Sequence, residues 1–193
     1  MFFQHVYDKT LAQASYFIGC QKAGVAAVID PKRDIDTYFE IAKQNNMQIT
    51  HIFETHIHAD FLTGSRELAA VTGAKMYLSD EGGPGWEYEF AHEGMKHNSE
   101  VMVGNLKIQV LHTPGHTPAD LAYLVNEEAA FVGDTLFMPD VGTSRCDFPG
   151  GSASTLFHSI TRLLELPAET KIYVCHDYPT KGREHHYQTT VGA

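Results

Sequence analysis

The stretch QITHIFETHIHADF, Gln48 to Phe61, decides the reading of this chain. Its first eight residues, Gln48 to Thr55, form a run rich in β-branched and aromatic side chains, the composition of a buried strand. Directly behind it comes His56-Ile57-His58-Ala59-Asp60, an H-x-H-x-D cluster. In extended chain, residues two apart face the same side, so both imidazoles can converge on one ion. An H-x-H pair alone is a weak signal, because a lone histidine is more often a surface or hydrogen-bonded residue.

What strengthens it is repetition further along. His116 lies in HTPGHTPAD, where Pro114 and Gly115 make a rigid turn that fixes the direction of the ring. Asp134 follows the apolar run FVG, with Gly133 allowing close backbone approach. His176 follows KIYV in Cys175-His176-Asp177-Tyr178. Apolar strands that end in polar clusters are how a rigid sheet carries metal or catalytic groups on its edge loops. Imidazole nitrogen with carboxylate oxygen suits zinc, iron(II) or manganese.

The rest of the chain reads as strands and helices around these motifs. Ser15–Cys20 and Val25–Asp30 form a strand pair joined at Gln21 to Gly24. Helices are expected over 34–45, with Asp34 as N-cap, over 62–71, closed by Gly73, and over 155–164. Further strands are expected at 75–78, 100–103, 106–112, 122–125, 129–132 and 171–174, and the Gly-rich middle, 79–100, is expected to be irregular. Trp86 and Gly82 to Gly85 there form either a loop over the site or plain surface. Helices mixed with hairpin-like strand pairs predict an α/β fold, two sheets sandwiched between helices. A length of 193 residues fits one domain, with no internal repeat or linker.

Bulk composition removes several function classes. Lys and Arg total 14 against 24 Asp and Glu, a net charge of −10 with no basic patch, which argues against nucleic-acid binding. No apolar run reaches the roughly 20 residues of a membrane span, and MFFQHVYDKT lacks the pattern of a secretion signal, so a cytoplasmic protein is expected. Cys20, Cys146 and Cys175 form no C-x-x-C pair or disulfide framework, and Cys146 and Cys175, which flank the site motifs, are expected to pack as small hydrophobes. His185 and His186 are expected in a solvated tail.

Taken in order, ETHIHADFLTGSRELA, HTPGHTPADLAYL, FVGDTLFMPDVGTSRCDF and YVCHDY resemble the motifs of the metallo-β-lactamase superfamily over nearly the whole chain. Within it they resemble the persulfide dioxygenase branch, sulfur dioxygenases related to glyoxalase II. The resemblance implies an αββα sandwich of two mixed sheets. It also implies one iron(II) per chain held by His56, His116 and Asp134, with zinc as the alternative metal, and oxidation of a small-molecule persulfide by O2 to thiol and sulfite. Hydrolases of the superfamily use the His58 equivalent as a ligand, whereas the iron members hold it behind the ligands. Asp60 and His176 are expected to orient ligands or buffer charge. Arg145 matches an arginine near substrate, and its alternative is an ion pair with Asp147 or Asp140. Tyr178 either donates a hydrogen bond to bound substrate or packs in the core.

One departure bears on metal count. Two-metal members continue the first motif as H-x-H-x-D-H, and here the last position is Phe61, which cannot ligate. Rival readings are a zinc thiolester hydrolase like glyoxalase II, and a non-catalytic metal- or sulfur-binding module of a longer protein. A homodimer, or a rhodanese-like sulfur-transfer domain or partner, fits the resemblance as well.

Overall fold

The computed structural model describes residues 1–180 and 182–193. Twelve strands and three helices build two six-stranded sheets. The first sheet runs β1 (Phe2–Asp8), β2 (Gln13–Cys20), β3 (Val25–Ile29), β4 (Gln48–Phe53), β5 (Lys75–Ser79) and β6 (Glu93–Met95), in spatial as in chain order. Its first two pairings are antiparallel and its last three parallel. The second sheet has the order β12 (Gln188–Thr190), β11 (Lys171–Tyr173), β10 (Ala129–Phe131), β9 (Leu121–Val125), β8 (Leu106–His112), β7 (Glu100–Val103), with only β10 and β11 parallel.

Strand alternation explains the layering. Along β2, Ala14, Tyr16, Ile18 and Cys20 join Leu121, Tyr123 and Val125 of β9 in one core between the sheets. The opposite faces meet helices. Phe17, Val28 and Ile52 pack with Tyr38 and Ile41 of α1 (Asp36–Gln44) and Leu68 of α2 (Ser65–Thr72). Ala122, Leu124 and Val132 pack with Leu163 of α3 (Ala153–Leu164). The result is the expected α/β sandwich of two mixed sheets between helices.

Several local expectations change. Asp34 does not cap α1: the N-cap is Ile35, with no side-chain cap, and Asp34 instead accepts from the Asp36 amide at 3.3 Å in a local turn. The helix expected from Leu62 begins at Ser65, because Pro31 O already binds the Gly64 amide and holds the preceding loop to another segment. It stops at Gly73, whose left-handed conformation returns an amide to Ala69 O. α3 starts two residues before its expected position because Ser152 Oγ accepts from the Thr155 amide. Strand β6 lies inside the stretch expected to be irregular, and β1 and β12 were not foreseen. No described helix is long and apolar enough to cross a membrane.

Candidate metal centre

All four motifs gather at one edge of the sandwich. β4 ends at Phe53, so Glu54 to Asp60 is a loop rather than strand. The loop is held by Asp30, at the end of β3, whose carboxylate accepts from the Thr55 amide (2.7 Å) and the Thr55 hydroxyl (2.8 Å). Thr55 Oγ1 lies 2.9 Å from His56 Nδ1, which turns Nε2 toward Asp134 Oδ2, 3.7 Å away. His116 Nδ1–H donates to Arg145 O at 2.6 Å, and its Nε2 stands 3.8 Å from the same Asp134 oxygen. Each ring therefore spends one nitrogen on the protein and leaves the other facing Asp134.

These three donors lie within 4.8 Å of one another. Donors sharing one ion at bonds of roughly 2.0–2.2 Å stand about 3–3.6 Å apart, so small side-chain adjustments suffice. The electrostatics agree. Burial, with neighbouring histidines, holds His56 well below the usual imidazole range, and burial also lowers His116. Burial pushes the Asp134 carboxyl up to about 8, and its Oδ1 is buried without a hydrogen-bond partner. Neutral imidazoles around an undersolvated carboxylate are what a cation satisfies.

Two glycines make the convergence possible. A Cβ on Gly133 (φ +54°) would sit 2.5 Å from Thr55 Oγ1, so the strand carrying Asp134 approaches the His56 loop only without a side chain. A Cβ on Gly115 (φ +142°) would meet the Leu156 backbone of α3 at 2.3–2.4 Å.

The other expected residues divide. His58 stands beside His56, ring centroids 4.1 Å apart, but turns from the cluster: its Nε2 lies 3.2 Å from both Asp30 Oδ1 and Glu54 Oε2. Burial alone would lower its pKa, and these two carboxylates outweigh it and raise the value well above the usual imidazole range. Residues two apart do not converge here because the chain has left the sheet. Asp60 Oδ2 and His176 Nε2 form a pair at 3.2 Å, with Asp134 Oδ1 3.8 Å from that nitrogen. Asp60 belongs to none of the tight three-donor groups among the described residues. Phe61 packs on the His58 ring, centroids 4.4 Å apart.

A cavity of about 570 Å³ opens over the cluster, lined by His56, His116, Asp134, Asp60, Arg145 and Tyr178 with an apolar wall of Phe137, Val141 and Phe148. Tyr178 is half exposed rather than core-packed, its ring stacked on His176 and its phenol pushed up to about 12, chiefly by burial. Arg145 makes the ion pair with Asp147, at 2.6 and 2.7 Å, and lies over the Phe148 ring. Both partners of that pair are about two-thirds exposed, and Arg145 is among the residues that line the cavity. His185 and His186 are both exposed, as expected of a solvated tail, although His185 Nδ1 pairs with Tyr7 OH at 2.8 Å. Cys175 is buried and Cys146 partly so. Sequence reading missed Asp30, Glu54 and Phe148. Asp30 alone left a signal, a carboxylate closing an apolar strand.

The family model of the metallo-β-lactamase superfamily matches residues 9–176. The chain belongs to this superfamily. Among its metallo-β-lactamase relatives, "Glyoxylase B2" of Dictyostelium discoideum is 39% identical over 175 residues, covering 82% of this chain and 60% of that protein. The hydroxyacylglutathione hydrolase of Nitrosococcus oceani is 36% identical over 168 residues, covering 85% and 62%. This chain thus spans about six-tenths of the length of both relatives. The crystal structure of ETHE1 from Myxococcus xanthus superimposes with a TM-score of 0.87 at 37% identity, over 99% of this chain and 80% of that one.

Proposed function

We propose that this metallo-β-lactamase domain is a mononuclear non-haem iron persulfide dioxygenase. One observation carries the reading: of the three donor groups among the described residues, His56–His116–Asp134 has all its members on the cavity, while Phe61 stands at the motif position of the second-site histidine and His58 is drawn toward Asp30 and Glu54. Two imidazoles and one carboxylate are a donor set that suits iron(II), and they would leave the ion accessible from the cavity. The fold match to ETHE1 supports the same reading. The balanced reaction is R-S-S⁻ + O2 + H2O giving R-SH, sulfite and a proton.

His56, His116 and Asp134 would hold the iron, which supplies the redox chemistry that O2 requires. The chain's own residues bind and orient. Thr55 and Arg145 O fix the two rings, and Phe148 meets His116 edge to face, shielding one side from water. The Arg145 guanidinium offers a planar cationic fork to an anionic substrate. The Tyr178 phenol stays protonated at neutral pH and can donate a hydrogen bond into the cavity.

Elemental analysis of anaerobically prepared protein, with O2 uptake on glutathione persulfide, tests this. About one iron per chain and O2-dependent sulfite release are expected. Two zinc ions, no O2 uptake and turnover of S-lactoylglutathione would establish the glyoxalase II-like alternative, which the hydroxyacylglutathione hydrolase relatives and the Asp60–His176 pair favour.

Arg145 gives a second test. Arg145→Ala is expected to lower kcat/KM by about one to two decades with metal content intact. Its melting temperature should barely move, because an ion pair this exposed contributes little to stability. Lysine should rescue in part, keeping charge but not the fork. An early-melting variant with normal kcat/KM would confine Arg145 to pairing with Asp147.

A further inference from the structure

Arg183 grips two carboxylates at once. Its Nη1 and Nη2 donate to the two oxygens of Asp177, both at 2.8 Å, while Nε and Nη2 donate to those of Asp140, both at 2.9 Å. A guanidinium offers five donors in a fixed plane, so two carboxylates that share it are set at a defined spacing and angle. An ammonium group has no such fork.

Neither carboxylate lines the cavity itself, but each sits in a separate segment, 137–142 or 176–178, that supplies residues to its lining. Asp140 sits in a turn closed by the Phe137 amide on Gly142 O (2.8 Å) and the Gly142 amide on Met138 O (2.9 Å). Phe137 and Val141 of that turn line the cavity, and Arg145 follows on the same wall. Asp177 lies between His176, which faces Asp60 and Asp134, and Tyr178, which also lines the cavity. The two segments touch where the Tyr178 ring meets Phe137 edge to face, centroids 5.7 Å apart. Without the guanidinium, two like charges would face each other where these walls meet.

The segment that carries Arg183 is itself anchored. The His186 amide donates to Asp177 Oδ2 at 2.7 Å, Tyr7 OH pairs with His185, and the Tyr187 ring stacks on His5 with centroids 3.5 Å apart. Thr180 Oγ1 adds a bond to Asp140 at 3.1 Å. The clamp therefore ties both walls to β1, an element outside the site.

We infer that Arg183 is a positioning residue that joins the two walls of the cavity and thereby sets the placement of Arg145 and Tyr178 around the substrate. The inference rests on the proposed function only in taking this cavity as the place where substrate binds. The turn it holds is anchored in the core by Phe137 and Met138 as well as lining the cavity, so a role in folding alone is separated from a positioning role by the readouts below.

Arg183→Ala and Arg183→Lys in the full, metal-loaded chain test it by two readouts. Amide hydrogen exchange at Phe137, Val141 and Gly142 should accelerate about tenfold or more in both variants, while amides of β2 and β8 keep their rates. KM for glutathione persulfide should rise about 5–20-fold with kcat changed less than about twofold, since a misplaced wall weakens binding rather than the ligand set. Lysine should fail to rescue, because it cannot hold both carboxylates in register. Unchanged rates at 137–142, a rise shared equally by β2 and β8, an unmoved KM, or a lysine variant equal to wild type would each overturn the inference. If the unaltered chain takes up no O2, the functional reading fails, while the amide rates still decide whether the clamp holds the walls.

Discussion

Asp134→Ala and His116→Ala should each emerge from purification without metal and without activity, whereas His58→Ala should keep part of both. Asp134 supplies the one carboxylate of the cluster, and both imidazole Nε2 atoms approach its Oδ2. Removing it leaves two neutral rings that cannot balance a divalent charge. Removing His116 halves the nitrogen set and also frees Arg145 O from its 2.6 Å bond. His58 acts at one remove, through Asp30, which in turn holds Thr55 and so the His56 ring. Loss of such a supporting group typically costs about 10–100-fold in metal affinity or activity, less than loss of a ligand. His58→Ala also strands Asp30 and Glu54 as buried carboxylates without their cationic neighbour, so it should be assayed well below its melting temperature. Metal per chain after dialysis against a chelator, measured beside O2 uptake, is the check. A metal-free His58→Ala with a fully loaded Asp134→Ala would reverse the assignment.

The second large effect is expected at Gly133→Ala. The added methyl meets Thr55 Oγ1 at 2.5 Å and Thr55 Cβ at 2.7 Å, and neither can yield without breaking the Thr55–Asp30 bonds. The φ of +54° adds the cost of a left-handed L-residue, about 1–2 kcal/mol, to an overpacking cost of about 1–3 kcal/mol. The sum, about 2–5 kcal/mol, corresponds to a melting temperature lower by about 5–20 °C in a chain of this size. Metal affinity should fall in parallel, since relief of the clash moves Asp134 away from His56. Thermal melts with and without added iron(II) read both effects. A variant that melts and binds metal like the parent would mean the two strands have more freedom than their contact implies.

Much of this site was legible because its motifs are local. A histidine or aspartate soon after an apolar strand declares both its residue type and its place at a sheet edge, so His56, Asp134 and His176 could be named from the chain alone, and His116 from its Pro-Gly turn. The strands that escaped notice lack that local signature. β12 is Gln188–Thr190, polar and three residues long, and β6 is Glu-Gly-Met. β1, FFQHVYD, mixes apolar and polar side chains without strict alternation, since one face packs on the core and the other is only half covered. Such segments become strands because a neighbouring edge supplies hydrogen bonds, which no window of sequence contains. The same reason hid Glu54 and Arg183. Their partners lie on other elements, and pairing across a fold is a property of topology rather than of spacing. The expected direction of His58 changed for a related reason: strict alternation ends where the strand does, at Phe53.

The cluster also straddles the sandwich. His56 hangs from the first sheet, behind β4, while His116 and Asp134 hang from the second, behind β8 and β10. An ion shared among them would act as a rivet through both layers at their open edge. Whatever binds the folded state and not the unfolded one raises stability in proportion to the logarithm of its free concentration. If the ion binds as proposed, metal supply and resistance to proteolysis would be one linked equilibrium in this chain.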